Sequence, residues 1–65
     1  MSFSENLKNL RKQRGLDQTS LAKHLNVSVK TISHWETNYS EPSIAQIIAL
    51  ANFFDVSIDD LVDRK

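Results

Sequence analysis

A chain of 65 residues has room for one small domain, which at this size buries only about 60% of its unfolded surface and is modestly stable. Its 40% hydrophobic content suffices for a packed core, and the absence of cysteine excludes a disulfide framework and any thiolate metal site, so a reducing compartment fits best. The formal net charge is zero, the longest apolar run (Ile47-Ile48-Ala49-Leu50-Ala51) falls far short of the roughly 20 residues that span a bilayer, and the start lacks a signal-peptide core. A single domain over residues 1–65, soluble, cytoplasmic and without membrane partners, is the expectation, with no repeat, linker or low-complexity segment.

The first helix is expected to begin after Ser4, whose hydroxyl caps it with Glu5 in the first turn, to bury Leu7 and Leu10, and to end at Gly15. Asp17 then precedes a second helix in which Leu21, Ala22 and Leu25 share a face, and Ser28 precedes a third in which Ile32 and Trp35 do. Asp17 and Ser28 each offer an oxygen to the unpaired amides of a first helical turn. Between these helices, Asn26 is one of the few residues besides glycine that enters the left-handed conformation a sharp turn needs, and Val27 follows in the connection. Two short helices about a tight turn are the outline of a DNA-reading helix-turn-helix. Thr37 to Pro42 form a polar loop without apolar periodicity. Ser43 caps a fourth helix with a wide stripe of Ile44, Ile47, Ile48, Ala51 and Phe54, and Ser57 caps a last short helix carrying Ile58, Leu61 and Val62. Trp35, at helical spacing from Ile32, belongs to the core, and His24 to the solvated face of the second helix.

The pattern Q-x-x-L-A-x-x-L-x-V-S-x-x-x-I-S-x-W-E at residues 18–36 resembles the Cro/repressor helix-turn-helix family, also called the XRE family. The resemblance extends upstream through L-x-x-L-R-x-x-R-G-L at 7–16 and downstream through E-P-S-I-x-x-I-x-x-L-A at 41–51 and V-S-I-D-D-L-V at 56–62, in the family's order and over nearly the whole chain. It implies an all-α fold, a compact five-helix, lambda-repressor-like DNA-binding domain, and a sequence-specific transcriptional regulator, a repressor, acting on double-stranded DNA.

If the third helix enters the major groove, its first turn and outer face present Val29, Lys30, Ser33 and His34 to base edges. Lys30 can donate to guanine, Ser33 and His34 can donate or accept, and Val29 suits a thymine methyl; the resemblance implies base readout at these positions. Gln18 opens the second helix, where free amides and the helix dipole favour a phosphate, and the resemblance implies a backbone clamp there. Lys23, Thr37, Asn38, Tyr39 and Ser40 are further phosphate candidates. The family often carries Asn-Gly where this chain has Thr37-Asn38, so the left-handed residue is expected at Asn38, with a hydroxyl replacing the amide donor at Thr37. The resemblance also implies a partly buried salt bridge between Arg11 and Glu36.

One helix reads few base pairs, so a homodimer on a palindromic operator is expected, with half-sites one helical turn apart. Phe53, Ile58 and Val62 are the candidate dimer contacts. The charge is asymmetric: through residue 40 six basic residues face three acidic ones, and beyond it five acidic residues face two basic ones. That polarity favours a DNA-facing first half, although overall neutrality also suits an antitoxin or adaptor that binds a protein on the same scaffold. An enzyme is not expected, since there is no Cys, no Ser-His-Asp spacing, no HExxH and one glycine. Neither a cofactor nor a metal site is implied, because His24 has no second histidine at ligand spacing.

Overall fold

The computed structural model describes residues 2–62. Five helices, α1 (Phe3–Gln13), α2 (Gln18–Leu25), α3 (Val29–Glu36), α4 (Ile44–Phe54) and α5 (Ile58–Val62), pack about a core of Leu7, Leu21, Ala22, Ile32, Trp35, Leu50, Ala51, Phe54 and Leu61. Helix α1 packs on α3 and α5, α2 on α3 and α4, and α4 on α5, so that each helix buries its apolar stripe against at least one other. Among the described residues there is no strand, and no helix is long and apolar enough to cross a membrane.

Every helix start carries a side-chain cap. Asp17 accepts the Ser20 amide, Ser28 that of Thr31, Ser43 that of Gln46 and Ser57 that of Asp60. Helix α1 begins earlier than its sequence suggests: Ser2, not Ser4, is the N-cap, accepting the Glu5 amide while the Glu5 carboxylate accepts the Ser2 amide. The reciprocal box needs Ser and Glu three apart, and only Ser2 stands at that distance from Glu5. Ser4 lies inside the helix, buried, its hydroxyl bonded to that of Ser2 at 2.9 Å.

The stripe of α4 is also narrower than its composition suggests. Leu50, Ala51 and Phe54 are buried and Ile47 packs against them, but Ile44 is 79% and Ile48 44% exposed. The buried residues lie in the C-terminal half of the helix, leaving Ile44 in an overhanging first turn and Ile48 on the flank; a domain this small has too little interior to cover every apolar side chain. Ile58 is likewise exposed at the start of α5, whereas Leu61 is fully buried.

The first four helices end in the same way. A left-handed residue (Gly15, Asn26, Asn38 or Asp55, φ between 56° and 68°) turns the chain. The next amide then reaches back five residues: Leu16 to the Arg11 carbonyl, Val27 to Ala22, Tyr39 to His34 and Val56 to Ala51, at 2.8–3.1 Å. This is the Schellman arrangement, in which the residue after the turn usually folds over the helix end. Leu16, Val27 and Val56 are half-buried, the two valines packed against the core, whereas Tyr39 is 78% exposed.

At Gly15 an added Cβ meets nothing within 4 Å, so the cost of a side chain there is the backbone conformation alone. Gly15→Ala is expected to destabilise the domain by roughly 1 kcal/mol, whereas Asp55→Gly relieves the same strain and removes an anion from the negative end of α4, raising the melting temperature by about 2–4 °C. Thermal melts followed by circular dichroism check both, and shifts of the same sign for the two variants contradict this account of the turns.

Candidate nucleic-acid interface

Glu36, the last residue of α3, is the centre of the site. Its side chain is 1% exposed, and a bare carboxylate at that depth is costly unless fully bonded. Arg11 from α1 donates through Nε to Oε2 at 2.6 Å and through Nη2 to Oε1 at 3.0 Å, a bidentate fork. Gln18, the first residue of α2, adds Nε2 to Oε1 at 3.0 Å. Arg11, itself 11% exposed, uses Nη1 on the Leu16 carbonyl at 2.8 Å, within the turn that ends α1. The hydrogen bond to Glu36 raises the Arg11 pKa above its ordinary value, so the guanidinium keeps its charge against partial desolvation. Three helices are thus fastened at one point, and among the described residues no buried side-chain nitrogen or oxygen lacks a partner.

With Ile32, Trp35 and Glu36 buried, α3 has one free face. Val29 and Lys30 are exposed on it, and Ser33 and His34 are half-buried. Gln18 is half-buried with one amide proton committed to Glu36, at the start of a helix capped by Asp17. The Ser20 amide, and after it the Ser20 hydroxyl, holds the Asp17 carboxyl below the usual carboxylate range, so this cap stays ionised into acid. Lys23 is exposed in the last turn of α2. Thr37, Asn38, Tyr39 and Ser40 are all exposed, with Asn38 left-handed at φ 63°. The Thr37 hydroxyl donates to the Ser33 carbonyl at 2.9 Å, so it meets a phosphate as a donor only after giving up that bond. The Tyr39 ring stacks on His34 with centroids 4.5 Å apart.

Other side chains take roles that their sequence context does not announce. Arg14, counted above among the charges of the basic half, donates to the Phe54 carbonyl at 2.8 Å with its guanidinium 5.6 Å from the Phe54 ring, closing the end of α4. Asn6 donates to the Leu61 carbonyl at 3.0 Å and holds α5 to α1. His24 is exposed but not simply solvated, for its ring lies on Phe53 at 4.9 Å, and Phe53 in turn meets Phe54 edge-on at 5.0 Å. Of the three candidate dimer contacts, Phe53 is therefore covered within its own chain, Val62 is half-buried and Ile58 is exposed.

A helix-turn-helix family model matches residues 7–61. The chain belongs to the XRE-type helix-turn-helix family. It is 39% identical over all of its 65 residues to the HTH-type transcriptional activator BcrR of Enterococcus faecalis, covering 32% of that protein. It superposes on a transcriptional regulator from Listeria innocua with a TM-score of 0.94 at 38% identity, covering 98% of this chain and 60% of that one. The P22 c2 repressor, solved in complex with a synthetic operator, gives 0.89 at 31% identity, covering 95% and 94%. This XRE-type chain spans between about a third and a half of the curated relatives that it matches.

Removing Glu36 strands the Arg11 guanidinium and frees the Gln18 amide. Glu36→Ala is expected to cost roughly 3–5 kcal/mol, a large part of the stability of so small a domain. Buried Trp35 supplies the fluorescence signal for urea unfolding, and a midpoint equal to that of the unaltered chain contradicts the burial of a working ion pair.

Proposed function

We propose that this XRE-type chain is the DNA-binding unit of a sequence-specific transcriptional regulator, with residues 1–65 acting as a single domain in a bacterial or phage-encoded cytoplasmic protein. The observation that carries the reading is the free polar face of α3, backed by the Arg11–Glu36–Gln18 cluster: a helix whose inner face and C-terminal end are fixed presents Val29, Lys30, Ser33 and His34 in one orientation. Lys30 and Ser33 donate to base edges and Val29 contacts a thymine methyl, while Gln18, Lys23, Asn38 and Ser40 hold the phosphates on either side. The P22 c2 repressor chain solved in complex with a synthetic operator shares this fold over 94% of that chain, and this chain is proposed to act likewise, as a repressor. A homodimer on a palindromic operator doubles the base pairs read. Exposed Ile58 and half-buried Val62 are the candidate contacts, with Phe53 contributing only its free edge.

Net neutrality favours a second reading, an antitoxin or adaptor that docks a protein. The surface suited to it is the groove of about 260 Å³ lined by Phe3, Asn38, Glu41, Pro42, Ile47 and Val62. Selection of bound fragments from random duplex DNA at two salt concentrations separates the readings. The expected result is a palindrome with half-site centres about 10 base pairs apart, bound more weakly at higher salt. Binding that is blind to sequence, or none, supports the protein-docking reading.

A further inference from the structure

Of the four matching helix ends, the one after α3 alone leaves its closing residue in solvent. Leu16, Val27 and Val56 are half-buried, whereas Tyr39 stands 78% exposed. It is nevertheless fixed twice. Asn38 at φ 63° and the Tyr39 amide bond to the His34 carbonyl, 2.8 Å, set its backbone. The stack on the His34 ring, 4.5 Å between centroids with planes at 42°, sets its side chain. The imidazole in turn carries a phenol on one side, which removes much of the freedom it needs to extend to a base. Solitary exposed aromatics are ordinary, but an ordered phenol beside a reading helix combines a donor with a rotamer already chosen in the free protein, so that less ordering is left to occur on binding.

We propose that His34 and Tyr39 work as one unit, in which the His34 ring is a positioning residue that holds the Tyr39 phenol at the C-terminal edge of α3 so that its hydroxyl donates to a DNA phosphate. The proposal rests on the DNA-binding reading above. It removes His34 from the base-contacting set, leaving Val29, Lys30 and Ser33 to read sequence, and it makes Tyr39 a phosphate contact insensitive to sequence.

The test starts from the duplex selected by the unaltered chain; if no sequence is selected, the DNA-binding reading itself fails. On that duplex Tyr39→Phe, which keeps the ring and loses the hydroxyl, is expected to weaken binding about tenfold, and His34→Ala by a similar factor. The double variant His34→Ala/Tyr39→Phe is expected to bind no more weakly than either single one, because the two losses are the same loss. His34→Phe, which stacks but cannot read a base edge, is expected to restore the binding lost in His34→Ala and to select the same sequence. Losses that multiply in the double variant, an unchanged affinity for Tyr39→Phe, or a changed base preference in His34→Phe each overturn the proposal.

Discussion

The buried contact between Arg11 and Glu36 is the constraint on which the rest of the molecule depends. A carboxylate at 1% exposure is tolerable only with its oxygens satisfied, and three donors from two other helices satisfy them. The contact therefore does more than pair two charges. It fixes the last residue of α3 against the middle of the third turn of α1 and against the first residue of α2, while Arg11 reaches on to the carbonyl of Leu16 and holds the turn between α1 and α2. Hydrophobic burial of Ile32 and Trp35 gives α3 its inner face, and the bidentate fork adds directional, geometrically specific bonds at its end. Together they fix both the inner face and the C-terminal end of α3.

The same economy governs the helix ends. With so little interior to bury, the domain depends on satisfying the backbone groups that each short helix leaves unpaired. Caps at the starts and left-handed turns at the ends accomplish this for nearly every helix, and Arg14 and Asn6 supply donors to the terminal carbonyls of α4 and α5. That use of Arg14 bears on electrostatics, because a cation counted in the basic half is engaged at the end of α4. Lys23 and Lys30 remain exposed on α2 and α3.

Much of this was legible in the residues. The caps at Asp17, Ser28, Ser43 and Ser57 and the left-handed turns at Gly15, Asn26 and Asn38 follow from local chemistry, in which a side chain a few atoms long meets an amide close by in the chain. The five helices and the core positions Leu7, Leu21, Ile32 and Trp35 follow from spacing. The structure departs from expectation where local chemistry offers two answers or where distant packing decides. Ser2 and Ser4 are both capable caps, and only the reach of Glu5 chooses between them. The left-handed turn at Asp55 is marked only by an aspartate, which enters that conformation less readily than glycine. The breadth of the α4 stripe suggested burial of Ile44 and Ile48, but burial depends on whether another helix covers them, and none does. The stack of His34 on Tyr39 and that of His24 on Phe53 are contacts between side chains whose types do not announce each other.

The central claim is that the helix locked by Glu36 turns its outer face to DNA. Two-dimensional NMR of the chain titrated with its selected duplex tests this directly. The account predicts the largest changes at the amides of Gln18, Thr19 and Ser20, of Val29 to His34 and of Asn38 to Ser40, with the Arg11 side-chain Nε signal kept in the complex. Changes centred on Phe3, Ile47 and Val62, with the amides of α3 unmoved, would contradict it.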